Sequence, residues 1–253
     1  MANSLTFNGT ALSTYGLAVT SHGLSVAQDA IAIRIQDKAY AWRSSLAPKI
    51  ISLGVDVKAS SLANLKSYLD SIKTILNTRE DAQLILDMFS DRYWLARFES
   101  LNGNLNGRVG WSGDLNFIAH DPLAYSTGDA ITTLHNLNTT DPQTVTETPE
   151  GTANTNPVYT LLAGSALGAI EVTLENLTTS PELALVWSGT IAEDDELEID
   201  VANKLVSLND TPSMATVTGR FPYLQPGANS IKVTSWGTAG TNTITIVYRN
   251  RYL

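Results

Sequence analysis

Three histidines, twenty-five acidic side chains and no cysteine bound the chemistry open to this 253-residue chain. Without cysteine there is no disulfide, no thiolate nucleophile and no cysteine-ligated metal. His120-Asp121 joins an imidazole to a carboxylate, the parts of a general base or half a metal site. Pro122 follows, however, and Asp-Pro initiates turns, while no second histidine stands at ligand spacing. The pair is therefore read as a structural turn. His22 and His135 lie in polar segments with no nearby acidic partner and are read as exposed loop or strand positions. The run Glu193-Asp194-Asp195-Glu196-Leu197-Glu198-Ile199-Asp200 could gather oxygen ligands for a hard cation, but it lacks the Asp-x-Asp-x-Asp-Gly order of a calcium loop. From Glu196 onward charges alternate with Leu197, Ile199 and Val201, which describes the outer face of a strand entered through an acidic turn. A hydrolase would draw its two carboxylates from Asp194, Asp195 and Glu198. Trp187 and Trp236 would offer flat faces to a sugar ring if they were exposed, although an indole in a strand is more often core or interface. Asn-x-Thr triplets at Asn8, Asn138, Asn176 and Asn209 are expected by chance in a chain this rich in Asn and Thr. No phosphate-loop, dinucleotide or nucleophile-elbow motif occurs. The inventory predicts no catalytic residue, no metal site, no cofactor and no enzymatic activity.

The elements that would position these residues are mostly strands. Ile31, Ile33 and Ile35 alternate with Ala32 and Arg34, and Ile51, Leu53, Val55 and Val57 alternate with Ser52, Gly54 and Asp56, the period-two signature of half-buried strands. Between 60 and 77 the period lengthens. Leu62, Leu65, Leu69, Ile72 and Leu76 fall on one helical face, with Ser60 or Ser61 placed to cap it. Residues 83–87 and 92–99 read as strands joined by a turn at Phe89-Ser90-Asp91, the second bounded by Asn102-Gly103. From Thr127 to Pro157 the composition shifts to Thr, Asn, Asp and Pro, which predicts a linker or a set of edge strands and a domain boundary near 128. Beyond it, segments 170–176, 184–187, 197–201, 204–208, 230–236 and 243–248 are spaced as in a β-sandwich, with Ala202-Asn203 as a hairpin turn. A net charge of −9 argues against general nucleic-acid affinity, which depends on Lys and Arg replacing counter-ions. The N-terminal residues lack the basic and apolar regions of a secretory signal, and no window is apolar enough for a membrane span, so a soluble protein made in a cytoplasm is expected.

Several short motifs share an order with one known family. They are Phe7-Asn8-Gly9 with Tyr15-Gly16-Leu17, the strand Asp91-Arg92-Tyr93-Trp94-Leu95-Ala96-Arg97-Phe98 after a helix, and Trp111-Ser112-Gly113 leading to Asp121-Pro122-Leu123-Ala124-Tyr125. The second half adds Asn156-Pro157, Trp187-Ser188-Gly189 and Leu224-Gln225-Pro226-Gly227-Ala228-Asn229. Through them the chain resembles, over nearly its whole length, the distal tail protein family of siphophages, the long-tailed non-contractile bacteriophages. The resemblance implies a mainly β protein with an N-terminal split β-barrel carrying one helix (residues 1–128) and a C-terminal galectin-like, jelly-roll β-sandwich (residues 129–253). It further implies a homo-hexameric ring at the distal end of the tail in the virion. That ring would join the tail tube protein to tip, baseplate and receptor-binding proteins, and DNA would pass its channel without specific binding. The resemblance brings no catalysis and no membrane insertion. The His, Asn and Arg cluster with which galectins hold sugars has no counterpart here. The alternative is a free-standing carbohydrate-binding sandwich that presents Trp187 or Trp236 to solvent. A ring adds physical demands of its own, namely two different complementary patches per subunit, for which open strand edges are suited. The acidic balance predicts a channel that repels DNA.

Overall fold

The computed structural model describes residues 4–25, 28–35, 38–137, 141–236 and 241–253, with 25–46 described by backbone alone. The chain divides into two compact units, Met1–Thr127 and Gly128–Leu253.

The first unit holds strands β1 (Leu5–Phe7), β2 (Thr10–Ala11), β3 (Leu17–Ser25), β4 (Gln28–Ile35), β5 (Lys38–Leu46) and β6 (Lys49–Lys58), then helix α1 (Leu62–Leu76), and then β7 (Ala82–Leu86), β8 (Arg92–Asn106), β9 (Gly110–Ala119) and β10 (Ala124–Ser126). Hydrogen-bonded neighbours run β2-β1-β7-β8-β9-β6-β3, every pair antiparallel, with β10 beside the start of β8. Among the described residues this ladder is open at both ends, so the barrel expected from the resemblance does not close. β4 and β5 pair with each other. The expected strand at Ile31–Ile35 therefore forms, while the facing of its side chains lies outside the described residues.

The alternation in β6 works as anticipated. Ile51, Leu53, Val55 and Val57 are all 1% exposed or less, and each lies opposite a core residue or a glycine of β9. In α1, Ser61 caps the first turn by accepting from the Asn64 N–H at 3.1 Å, and Leu65, Ile72 and Leu76 are buried. Leu62, expected on the same face, is 49% exposed because it opens the helix beyond the end of that core.

Asn102-Gly103 does not end a strand. β8 continues to Asn106, and the chain reverses through Gly107 at φ +69°. The reason is steric. Gly103 and Gly113 face each other across β8 and β9, and the Trp111 ring lies over both. A Cβ on Gly103 would fall 2.4 Å from that ring, and one on Gly113 would fall 2.6 Å from it. Both glycines are spaces for an indole.

The second unit comprises β11 (Ile131–Asn136), β12 (Gln143–Glu147), β13 (Val158–Leu162), β14 (Gly168–Asn176), β15 (Leu183–Ile191), β16 (Glu196–Asp200), β17 (Leu205–Leu208), β18 (Thr211–Pro212), β19 (Val217–Gly219), β20 (Asn229–Thr234), β21 (Thr243–Tyr248) and β22 (Arg251–Tyr252). Six strands in the order β11-β21-β13-β16-β17-β18 face five in the order β12-β20-β14-β15-β19 across one apolar core. This is the expected sandwich. The Thr- and Asn-rich stretch after 127 supplies an edge strand to each sheet, β11 to one and β12 to the other, and of its sparse apolar residues Leu137 and Val145 are buried in the core while Leu134 is exposed. The hairpin between β16 and β17 turns through Val201–Lys204, with Lys204 at φ +56° and the Asn203 N–H donating to Asp200 Oδ1 at 2.9 Å.

Candidate assembly surface

The first unit carries two open strand edges and one polar sheet face, all set by the register of β3, β6, β9 and β8. β3 pairs with β6 along one side, and no described strand pairs with its other side. β8 meets β7 at Trp94–Ala96, but from Arg97 onward its outer edge has no described partner, while its inner edge stays bonded to β9 as far as Asn106. A register shift between Phe98 and Ser100 separates the two halves of β8. Because the four strands alternate in direction, a β3 laid on the free half of β8 would continue the antiparallel order.

The face of these strands turned away from the core carries Ser52 and Asp56 of β6, Ser112, Asp114 and Asn116 of β9, and Ser100, Asn102 and Asn104 of β8. Asn116 Nδ2 donates to Ser100 Oγ and Asn106 Nδ2 to Ser112 Oγ, each at 3.0 Å, so the short polar side chains brace one another. On this face Arg97 lies 3.2 Å from Asp81, which balances its charge. The face is mostly polar and slightly acidic, with an apolar pair, Ile50 and Ile118, at one end.

The residues singled out for chemistry are scattered. His22 sits half-buried on β3 opposite Leu53. His120 is exposed, and Asp121 forms the expected turn: Oδ1 accepts from the Leu123 N–H at 3.1 Å and Oδ2 from the Tyr125 hydroxyl at 2.5 Å. Asp195 accepts from the Ala192 N–H at 2.6 Å and from Asn209 Nδ2 at 2.7 Å, bonds that hold its carboxyl below the usual range. Glu198 lies on the outward side of β16, its pKa raised by burial and then by Asp200, Glu196 and Asp210. Among the described residues no group of three His, Cys, Asp or Glu side chains is placed to hold a metal ion.

The structure decides between the two readings of the tryptophans and corrects the expectation for His135. Trp187 and Trp236 are 1% and 2% exposed, their indole N–H groups donating to Ser213 Oγ at 3.0 Å and to the Leu162 carbonyl at 3.3 Å. Both are core residues, so neither offers a sugar platform. His135 does have an acidic partner. Its Nε2 lies 2.6 Å from Oε1 of Glu147, and the Thr133 hydroxyl donates to the same oxygen at 2.5 Å. Glu147 is 3% exposed and also bonds Tyr248, whose hydroxyl pKa burial and this carboxylate push up to about 12. Twelve residues separate His135 from Glu147, on edge strands of opposite sheets, so only closure of the sandwich joins them. One signal was legible: Val145 and Glu147 share a strand face, which places the glutamate inside.

A second polar cluster organises the Leu224–Asn229 motif. Asn229, 1% exposed, accepts from the Gln225 N–H and donates to the carbonyls of Gln225 and Gly227, each at 2.8 Å. Asn176 Nδ2 adds a bond to Asn229 Oδ1 at 3.0 Å. Asn176 is therefore buried, while Asn138 lies outside the described residues.

Residues 14–116 match the phage tail protein RIFT-related domain, and residues 150–252 match the C-terminal domain of the siphovirus-type tail component. Fold and matches together define a two-domain structural component of a siphophage tail. The chain belongs to the siphophage distal tail protein family. Its structure is similar to that of the SPP1 Dit protein, described as a paradigm of the hub adsorption apparatus in phages infecting Gram-positive bacteria, with a TM-score of 0.72 at 18% identity over 100% of both chains. A chain of the phage p2 baseplate in its activated conformation aligns over 99% of each chain with a TM-score of 0.47 and 7% identity. No curated protein matches the sequence.

Proposed function

We propose that the chain is a hub component at the distal end of the tail, where residues 1–128 assemble as a homo-hexameric ring and residues 129–253 face outward. The ring joins the tail tube to the tip or baseplate proteins that engage the host and leaves a central channel for DNA. The observation that carries this reading is the pair of open edges on one sheet, β3 and the free half of β8. They are different surfaces, as a closing heterologous contact requires, and backbone pairing between them satisfies groups that an unpaired edge leaves to water. The sheet face bearing Asp56, Asp114 and a row of Ser and Asn would then line the channel, where its carboxylates repel DNA phosphates. The chain's role is structural, with host adhesion left to its partners.

Light scattering on a sizing column at several concentrations tests the ring. A mass of six chains, or a multiple of six, supports it. A chain that stays monomeric even when mixed with the tube protein overturns it.

A further inference from the structure

A cationic side chain of the first unit, Lys49, has no counter-ion among the described residues. Lys49 opens β6 on the core-facing side opposite Ala119 and is 5% exposed. Among the described residues no carboxylate stands within ion-pair distance of its amine. Its contact is the ring of Trp94, with Nζ 5.1 Å from the centroid. Trp94 is 3% exposed, and its indole N–H is buried with no acceptor among the described residues. Phe89 meets Trp94 edge-on at 5.8 Å, and the Arg92 guanidinium stacks over Phe89 at 5.5 Å. Asp91, the nearest acid in sequence, is engaged by Arg92 through bonds of 3.1 and 2.8 Å.

This arrangement is costly for a chain on its own. Lys49 Nζ keeps a small contact with solvent, but drawing an ammonium out of most of its water without pairing it is unfavourable, and the fully buried Trp94 N–H without an acceptor adds to the cost. Burial, followed by the like charge of Arg92, lowers the Lys49 pKa, the direction expected of an uncompensated cation. One ligand removes both deficits: a carboxylate, which is acceptor-only and has two oxygens. We propose that Lys49 and Trp94 form a receiving site for a carboxylate carried by a neighbouring chain of the tail assembly. A protein source is favoured because Lys49 adjoins the end of the open β3 edge, where Ser25 pairs with Ile50. A second copy also brings a surplus of acidic groups, 25 against 16 basic. The protein source rests on the ring-forming reading; the carboxylate site itself does not.

The test uses Lys49→Met, which keeps the stem and removes the charge, with Lys49→Arg as a cation-retaining control. Thermal unfolding of the unassembled full chain is followed in sodium acetate and in sodium chloride at matched ionic strength, and self-association is followed by light scattering. Lys49→Met is expected to melt higher than wild type yet associate about tenfold more weakly or worse, a difference of about 1.4 kcal/mol, while Lys49→Arg associates. Acetate is expected to raise the melting temperature of unassembled wild type but not of Lys49→Met. An acetate effect with unchanged association of Lys49→Met would assign the site to a small carboxylate and overturn the neighbouring chain as its source. No acetate effect and no association effect would overturn the site altogether. If wild type never associates, the ring reading fails and the acetate comparison still decides the site. If Lys49→Met does not fold, loss of the acetate effect in Lys49→Gln serves in its place.

Discussion

Glu147 and His135 lie 2.6 Å apart, on edge strands of opposite sheets, and close one side of the sandwich. The carboxylate also accepts from Thr133 and bonds Tyr248, so deleting it takes the partner from buried Tyr248 and from half-buried Thr133 and His135 at once. Glu147→Ala is expected to destabilise the chain by about 3 kcal/mol or more. His135→Ala should cost less, because the ring is partly exposed. A double-mutant cycle measured by urea unfolding should return a coupling of about 1 kcal/mol or more; additive losses would show that the two residues act independently.

Asn229 braces the turn before β20 with its side chain, bonding Gln225 at both backbone groups and Gly227 at its carbonyl. Asn229→Leu fits the volume but leaves these groups and Asn176 unmatched. A loss of about 3 kcal/mol is expected. Asn229→Asp should recover part of it by keeping the acceptor oxygen.

Gly113 lies where a Cβ would sit 2.1 Å from the Asn102 carbonyl and 2.6 Å from the Trp111 ring. Gly113→Ala is expected to cost about 1–3 kcal/mol by overpacking. Gly107, at φ +69°, is a position where an added Cβ would meet no atom within 4 Å, and it should tolerate asparagine, which accepts that conformation. Chemical denaturation of the two variants separates steric from conformational demand.

Tyr248 ionises near pH 12 in the folded chain against about 10 unfolded, and buried Tyr159 is raised as well. A raised folded pKa means that the stabilising contribution is complete below the unfolded value and is lost as pH climbs through the folded one. Stability is therefore expected to fall between pH 10 and 12. Tyr248→Phe should flatten the fall without abolishing it, since Tyr159 remains. Melting temperatures across that range check the slope.

Asp56 and Asp114 are the carboxylates of the polar sheet face. Wild type is expected not to retard duplex DNA on a gel at low salt. Asp56→Lys with Asp114→Lys should retard it, and the retardation should vanish as salt rises. Unchanged mobility would mean that this face does not meet DNA in the assembled state.

Local order was legible in the chain itself. The alternation of Ile51 to Val57 and the helical spacing of Leu65, Ile72 and Leu76 follow from the periods of strand and helix, and each residue is buried where its period places it. The turn at Asp121-Pro122 likewise rests on local hydrogen bonding. Tertiary structure decided what depends on partners distant in sequence. Asn102-Gly103 has the composition of a turn but serves as space for Trp111, because the indole comes from the opposite strand. Trp187 and Trp236 alternate like neighbours that could face either way, and the second sheet makes their side the inside. Glu147 meets His135 only when both sheets close, and the sheet sets Lys49 over the Trp94 ring, where no described carboxylate reaches it. Periodicity is a property of the local backbone and can be read from spacing; which face is buried, and which charge lacks a partner, arises from contacts that only the folded chain makes.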